Sequence, residues 1–458
     1  MSKKSPLNLS ELRVQIAQYT SVNDAIACAQ VCKNWTDDFT ARVWSNIDFN
    51  VHTTFKTLDP QAIHKNGHLI RVINNLEDGC DVDVLQCSTV SNLRTLKLLM
   101  QPNSRFQAHC CDIIRRNNSS LIYIDLSVTR EEEDNELFFA VDQFAPSAIT
   151  KATSQLTTLK IQGLTLTRDA FSSLLRSCPA LEVLSVQDIY FCSILLPCLY
   201  QHPRIKRLYA SIMQVLKPSS KSPDAPSLLI HFPALQTWNI SESSSWPTRE
   251  VSAEDIKREI SQYCPKLTAI HTETPAYKTV FLLRFAFGHL KEVCISHEEV
   301  SPELIMTIIT RRETLEHVQT TLPYPGFYDQ DEVPEIDNSL QDPNWMIQMI
   351  PQLCSNLTSI HLYRYEINMD EVDRTNWTCS RLTSLRIRIQ DLDTKEKIDR
   401  ALRMWIDGCY TRKGLTRPNS MGTSDFPAAS SIETRVANFL IKFDQLASVW
   451  LGTKVYRV

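Results

Sequence analysis

The segment Leu156-Thr157-Thr158-Leu159-Lys160-Ile161 decides the fold, because its spacing of aliphatic residues returns along most of the chain. The pattern is Leu-x-x-Leu-x-Leu, with any aliphatic residue allowed at the three anchor positions. Neighbouring copies commonly start about 25 residues apart, which is long enough for one strand and one returning helix. Clear copies begin at Leu93, Leu121, Leu156, Leu181, Leu290, Leu357 and Leu382, and looser ones at Leu69, Ile205, Leu235, Leu267, Leu315 and Leu446.

This period predicts a leucine-rich repeat solenoid, a horseshoe of α/β class, over residues 69–458. Each repeat is expected to contribute one short strand whose aliphatic side chains point inward, and then a helix that leads back to the next strand. One repeat cannot bury its own apolar face, so the stack of repeats is the folding unit.

Two of the return helices are predicted from the sequence between the strands. One is expected to begin at the N-cap Thr167, and in another Ser301 is the expected N-cap with Pro302 at the first helical position. Helices alternating with strands favour an α/β solenoid over an all-β coil. The apolar stripes of these helices are Phe171, Leu174, Leu175 and Cys178 in the first, and Leu304, Ile305, Ile308 and Ile309 in the second.

Several expected helices end in Cys-Pro-x-Leu or in a variant of it, as at Cys178, Cys264 and Cys354. Proline stops the helix, and the small cysteine before it is expected to pack in the core. The sequence holds 14 cysteines, and its first residues lack the apolar run of a secretory leader. Free thiols in a reducing compartment are therefore expected, which indicates an intracellular protein of the cytoplasm, the nucleus or both.

Composition and missing motifs argue against several classes of function. The net charge is −4 from 48 basic and 52 acidic residues, so no strong field indicates nucleic acid. The 9 glycines form neither a dinucleotide-binding nor a Walker motif, and no nucleophile-elbow serine is present. Cys28 and Cys32 have no partner pair for a zinc site. The expectation is a non-enzyme without metal, cofactor or membrane-spanning segment.

The first 50 residues depart from the repeat. Apolar positions at helical spacing occur at Leu9, Leu12, Ile16 and Tyr19, and a second stripe at Ala25, Cys28, Cys32 and Trp35. A third short helix is expected to carry Phe39 and Val43. These stripes predict a three-helix module over residues 6–49, joined to the repeats by a connector at 50–68.

The module resembles a known motif at Pro6-Leu7-Asn8-Leu9-Ser10-Glu11-Leu12, at Ile16, at Val31-Cys32-Lys33-Asn34-Trp35 and at Trp44. These residues resemble the F-box, through which ubiquitin-ligase receptors bind a Skp-type adaptor. An F-box followed by leucine-rich repeats resembles the large F-box-like families of filamentous fungi. The resemblance implies a non-catalytic substrate receptor of a Skp-cullin-F-box ubiquitin ligase, acting in ubiquitin-dependent protein degradation.

The resemblance also implies which residues face the adaptor. In the family a proline usually precedes the acidic residue, whereas Ser10 stands there in this sequence and is expected to cap the first helix. Two alternatives remain open: a three-helix cap that only seals the solenoid, and a repeat scaffold that binds proteins without a ligase. The implied adaptor-binding residues are Pro6, Leu9, Glu11, Leu12, Ile16, Val31, Cys32 and Trp35.

Target binding is expected on the polar positions between the anchors, which would face the concave wall. In the first half these positions hold Lys97, Asp125, Lys160, Arg207 and Tyr209. In the second half they are rich in histidine and arginine, which suggests a surface for an acidic or phosphorylated segment; the alternative is a merely solvated face. Insertions are expected near 321–345 and 411–432, the first of them aromatic. The candidate target-binding residues are His271, His317, His361, Tyr363, Arg386, Arg388, Tyr324, Phe327 and Trp345.

Overall fold

The computed structural model is of α/β class and forms two compact units, Met1–Leu235 and Gln236–Val458. It describes residues 9–49, 60–77, 89–100, 104–128, 155–166, 168–191, 200–212, 215, 227–240, 253–272, 279–280, 283–284, 289–295, 301–320, 344–412, 430–452 and 454–457.

The first unit carries the N-terminal helices and the first half of the strands. Its helices are α1 Ser10–Tyr19, α2 Val22–Ala29, α3 Lys33–Ser45, α4 Pro60–Asn66, α5 Ser104–Arg116 and α6 Arg168–Ser177, with 3₁₀ turns at Gly67–Leu69 and Leu228–His231. Its strands are β1 Asn46–Asp48, β2 Val72–Glu77, β3 Thr95–Met100, β4 Tyr123–Val128, β5 Thr158–Gln162, β6 Thr165–Leu166, β7 Val183–Gln187, β8 Tyr190–Phe191 and β9 Arg207–Ala210. A parallel sheet runs β1-β2-β3-β4-β5-β7-β9, and β6 pairs with β8.

The second unit continues the alternation. Its helices are α7 Ala253–Tyr263, α8 Pro302–Ile309, α9 Asn344–Ile347, α10 Met349–Leu353, α11 Met369–Arg374, α12 Lys395–Arg412 and α13 Ile432–Ile441. Its strands are β10 Thr237–Ile240, β11 Ala269–Thr272, β12 Glu292–Ile295, β13 His317–Thr320, β14 Ser359–Ile367, β15 Ser384–Ile389, β16 Ser448–Leu451 and β17 Lys454–Arg457. They pair in that order, parallel up to β16, and β17 runs antiparallel to β16.

The anchor positions form the apolar core, as the repeat pattern predicts. In the first unit the second anchor of each repeat pairs with its equivalent on the next strand. All five members of this row are fully buried, and each CH₂ group so removed from water contributes about 0.8 kcal/mol. The row consists of Leu96, Ile124, Leu159, Leu184 and Leu208.

The start of the ladder differs from the prediction. Leu69 is not the first anchor; it ends a 3₁₀ turn and is half-buried, while Ile70 is fully buried in its place. A β-bulge after Ile73 and a positive φ of 56° at Asn75 then restore the pairing with β3. The ladder also begins earlier than expected, because Asn46–Asp48 forms a strand that pairs with β2.

The Cys-Pro-x-Leu element closes several repeats with the same turn. Leu181 donates its N–H to the carbonyl of Cys178 at 3.1 Å, and Leu267 donates to Cys264 at 3.1 Å. Both cysteines are buried, and burial raises the pKa of the Cys264 thiol to about 12. The thiols therefore stay protonated and pack as small apolar groups, as expected.

The predicted α8 is confirmed in detail. The Ser301 hydroxyl accepts a hydrogen bond from the Leu304 N–H at 3.2 Å, and Pro302 takes the first helical position. The other expected N-cap, Thr167, lies outside the described residues. In the later insertion, the helix α12 extends to Arg412, and residues 413–429 lie outside the described residues.

The row of anchors gives a first prediction. Replacing Leu159 or Leu184 by alanine should lower the free energy of unfolding by about 2–5 kcal/mol, because each change leaves a cavity between two strands. Denaturant titration with circular dichroism detection would measure the loss. The control is Ile122→Ala, a change at an exposed aliphatic residue immediately before β4. An unfolding midpoint for either core variant equal to that of the control would contradict this register.

His202 fills the cysteine position of its own turn and is fully buried. Its Nε2–H donates to the Cys178 carbonyl at 2.9 Å, and its Nδ1 accepts from the Arg204 N–H at 3.3 Å, which defines a neutral ring. Burial lowers the pKa of His202 below its ordinary 6.5 and the Arg204 charge adds to this, against the opposing hydrogen bond to Cys178. The pKa of the nearby His231 is lowered for the same leading reason.

These histidines predict acid sensitivity of the first unit. The unfolded chain binds protons at these histidines more readily than the folded chain does. Their contribution to the stability of the fold is therefore complete above about pH 6.5 and is lost as the pH falls below that value. His202→Asn should make this pH dependence shallower, because it removes one titrating ring. Asparagine should be tolerated there, since Asn117 makes comparable hydrogen bonds in an earlier turn. Thermal melting between about pH 7 and pH 5, above the range of most carboxylates, would measure it. An unchanged slope would contradict the assignment.

Candidate protein-docking surfaces

Helix α1 turns its large aliphatic side chains outward. Leu9 is 54% exposed, Leu12 36% and Ile16 41%, whereas the buried residues of the helix are Arg13 and Ala17. The stripe that reads as a packing face in the sequence therefore faces solvent. Aliphatic side chains exposed along one side of a helix are typical of surfaces that contact another protein.

The module has a small core of its own. Ala17, Ala25 and Phe39 are buried together, one from each helix. The Trp35 ring stacks on Phe39 with centroids 5.3 Å apart and is itself half-buried. Trp35 thus joins the core to the surface, and the three-helix prediction is confirmed with α3 ending at Ser45.

A polar cluster fixes the orientation of α1. Arg13 Nε lies 2.5 Å from Asp38 Oδ2 on α3, and Ser10 Oγ donates to the other oxygen of Asp38 at 2.6 Å. The expectation that Ser10 caps the helix is wrong: Leu9 is the N-cap and has no side-chain cap, while the Ser10 hydroxyl is directed to Asp38. With Arg13 held inward, the neighbouring aliphatic stripe must face outward.

The charge state of this cluster follows from its geometry. Burial acts to raise the pKa of Asp38, but the hydrogen bonds from Ser10 and Arg13 and the Arg13 charge outweigh it. The pKa of Asp38 therefore lies below its ordinary value, and the ion pair persists in mildly acidic solution.

Most of the implied adaptor-binding residues that the structure describes are exposed, although Trp35 is half-buried. Of the ten large hydrophobic side chains that are exposed in the described part of the chain, seven lie between residues 9 and 31. Glu11 and Cys32 are exposed there as well, and Pro6 lies outside the described residues. The seven are Leu9, Leu12, Val14, Ile16, Tyr19, Ile26 and Val31, and we call them the apolar docking patch.

Val14 and Ile26 are exposed in the same segment, although the F-box resemblance did not select them. Val14 lies off the helical stripe, and Ile26 follows the buried Ala25 on α2. The sequence alone hardly predicts that these two side chains are exposed. The exposed sides of the helices are known only once Arg13 and Ala25 are seen to be buried.

The expected cationic strip of the second unit is already occupied by partners from the same sheet. His271 Nε2 lies 2.8 Å from Glu292 Oε1, and Arg388 lies 3.6 Å from Glu366. The guanidinium of Arg386 lies over the Trp450 ring, 3.9 Å from its centroid. These side chains form a hydrogen-bonded and stacked surface with less unbalanced positive charge than their composition indicates.

The strip is also not continuous, which corrects the sequence interpretation. His361 pairs with Arg386 across β14 and β15, but His317 pairs with Ser359 and so lies in the neighbouring row. His361 Nε2 lies 2.9 Å from Ser384 Oγ, and burial, with Arg386 and His317 next in effect, lowers its pKa. At neutral pH its ring is therefore uncharged.

The aromatic members of the predicted target surface lie largely outside what the structure describes. Tyr324 and Phe327 fall outside the described residues. Trp345 begins helix α9 with Asn344, and Tyr363 lies in β14, but only their backbone is described. Their part in binding stays a prediction.

Among the residues that the structure describes, no group of three or more histidine, cysteine, aspartate or glutamate side chains is placed to hold a metal ion. Nor does any described helix combine the length and apolar character needed to cross a membrane.

Comparisons with known proteins add no family assignment. No protein-family model matches the sequence, and no curated protein matches it.

The Arg13–Asp38 pair gives a prediction about the docking patch. Asp38→Ala should destabilise the module by about 1–3 kcal/mol, because the inward-facing Arg13 then loses its carboxylate. Adding Arg13→Met should recover most of this loss, since two apolar residues can replace a buried ion pair at little cost. Hydrogen exchange of residues 10–45 in the full chain would measure both effects. Equal exchange in Asp38→Ala and wild type would contradict the role given to the pair.

Proposed function

We propose that this chain is the substrate-recognition subunit of a Skp-cullin-F-box type ubiquitin ligase. Its N-terminal helices would dock a Skp-type adaptor, and through it a cullin, while a leucine-rich repeat solenoid presents the target protein. The single observation that supports docking most is the apolar patch of Leu9, Leu12, Ile16 and Val31, exposed on a module with its own separate core.

The hydrophobic effect favours a partner for the patch. Apolar surface gains about 25 cal/mol per Å² when it leaves water, so grouped aliphatic side chains favour a covering protein. A module that only sealed the end of the repeats would bury these side chains against the first repeat. That alternative accounts for the buried Ala17, Ala25 and Phe39, but not for the exposed stripe of α1.

The repeat region supports the receptor half of the proposal. Several adjacent strands, such as β5, β7 and β9, start about 25 residues apart and pair in parallel, and helices such as α6 and α8 lie between paired strands. Such stacks expose one row of polar positions on every strand, which suits recognition of extended or folded protein surfaces. No glycine-rich phosphate loop or catalytic cluster competes with this interpretation in the sequence.

The junction between the two parts supports a fixed spacing between adaptor and target. Helix α3 ends at Ser45, and β1 starts at the next residue and pairs with β2. The Phe49 N–H donates to the Asn74 carbonyl at 3.2 Å, and Arg71 donates to the Ser45 carbonyl at 3.0 Å. The module is thus hydrogen-bonded directly to the repeat sheet of its unit, and a ligase receptor needs such rigidity.

Adaptor binding is the decisive test. Leu9→Asp with Leu12→Asp should abolish co-purification with a Skp-type adaptor, because exposed apolar anchors of an interface commonly cost about 2 kcal/mol or more each. The matched control is Ile122→Asp with Met306→Asp, which adds the same charge at two exposed aliphatic residues outside the patch.

The outcomes separate the alternatives. Loss of the adaptor only in the patch variant, with an unchanged circular dichroism spectrum, would support the ligase. Wild-type protein that never retains the adaptor would leave a repeat scaffold without ligase association. Equal adaptor retention by both variants would show that the F-box resemblance misplaces the interface.

A further inference from the structure

The polar side of the first unit's sheet carries a group of lysine, arginine and tyrosine side chains on adjacent strands. Because Leu96, Leu98, Ile124, Leu126 and their equivalents are buried, the residues between them face the other side. In-register pairing then places Lys97, Asp125, Lys160, Ser185 and Tyr209 in one row, with Tyr123 and Arg207 in the next. We call the set Lys97, Tyr123, Lys160, Arg207 and Tyr209 the lysine–tyrosine face.

The centre of this face is Tyr123. Lys160 Nζ lies 5.7 Å and Lys97 Nζ 6.0 Å from the centroid of its ring, one on each side. The Tyr123 hydroxyl donates to Asp125 Oδ2 at 3.1 Å. The ring therefore spaces the two ammonium groups and keeps them on the surface, where a ligand can reach both.

Positive charge predominates on the face. Among the side chains that the structure describes on this face, Asp125 is the one carboxylate, and it is shared between Tyr123, the Ser127 hydroxyl at 3.2 Å and Lys160 at 3.9 Å. In that described set, Lys160 is the one cation within ion-pair distance of a carboxylate. The face thus contrasts with the second unit, where His271 and Arg388 each have a glutamate partner.

The protonation states suit an anionic ligand. Burial lowers the pKa of Lys160, but contacts with Tyr123, Asp125 and Tyr209 outweigh it and the pKa is raised overall. The pKa of Tyr123 is raised, chiefly by burial. At neutral pH the face therefore presents the charged Lys160 ammonium group beside a protonated Tyr123 phenol.

We propose that the lysine–tyrosine face binds an acidic segment of a partner protein, with Lys97 and Lys160 pairing with its carboxylates and the tyrosine rings packing beside them. Two strand steps separate the lysines by about 10 Å, the length of about three extended residues, so carboxylates spaced along one strand-like segment can reach both. This interaction goes beyond adaptor docking and does not depend on it.

A protein segment fits the face better than nucleic acid. The chain as a whole has a net charge of −4, which opposes the broad attraction by which nucleic acids bind. Only three cations are grouped here, fewer than the phosphate contacts over which strong nucleic-acid binders spread their charge, and tyrosine and arginine are residues enriched at protein interfaces. An acidic segment must also overcome the net charge, so binding would have to be local and sensitive to salt.

Fluorescence anisotropy with the full chain tests the proposal. The probe is a short labelled peptide in which glutamate alternates with serine, and its matched form carries glutamine in place of glutamate. The wild-type chain should bind the glutamate form more tightly and should lose affinity between about 50 and 300 mM NaCl. Lys97→Glu with Lys160→Glu should weaken binding at least about tenfold.

The control variant is Lys65→Glu with Lys266→Glu, which makes the same change in net charge at two exposed lysines that are not members of the face. It should alter affinity less than about twofold. The affinity of Lys97→Gln with Lys160→Gln for the glutamate peptide should fall between those of wild type and the charge reversal. This neutral variant replaces the reversal in the test if the reversed chain is less stable than wild type.

Three results would overturn the proposal. The first is that wild type shows no preference for the glutamate peptide, and the second is that the face and control variants bind it equally. The third is that wild type binds a labelled polyuridine RNA more tightly than the peptide and that the face reversal abolishes this RNA binding. The proposed ligase function is tested separately, because Leu9→Asp with Leu12→Asp should lose the adaptor and keep the peptide, and the lysine reversal should do the opposite.

Discussion

The burial of each anchor residue against the equivalent anchor of the next strand is the constraint on which the structure depends. Leu159 has apolar neighbours above and below it only because Ile124 and Leu184 stand in register on the adjacent strands. In-register parallel pairing in turn requires a crossover long enough to lead back to the start of the next strand, and the much longer connection between β15 and β16 leaves that register intact. The polar positions are then left on the opposite side of the sheet, where the fold places few demands on them.

Much of this ladder could be predicted because hydrophobicity and period point to the same residues. Prediction failed where neighbouring residues offered equal candidates. Leu69 and Ile70 are both aliphatic, and only the bulge near Asn75 and the pairing with β3 decide between them. The strand Asn46–Asp48 carries no repeat pattern, so the local sequence does not predict its pairing with β2.

The candidate sites show a similar division. The apolar stripe of α1 was visible in the sequence, but its outward orientation depends on Arg13 meeting Asp38 from another helix, a contact that helical spacing cannot predict. The rows of the second-unit histidines could also be assigned from the sequence. His317 lies two residues after its anchor Leu315, whereas His361 lies four after Leu357, so counting from the anchors already places them in different rows.

The two polar faces show how one backbone plan supports different surfaces. A cation on a sheet face can be neutralised by a carboxylate on the next strand, as Glu292 does for His271, and it then contributes hydrogen bonding with little net charge. Around Tyr123 the neighbouring strands supply lysines in place of carboxylates, so positive charge accumulates at that point. The row assignments come from the repeat, but the binding preference of a face comes from which neighbour each charge has across about 5 Å of sheet. Residue composition alone, which made the second half look the more basic, therefore cannot rank the two faces.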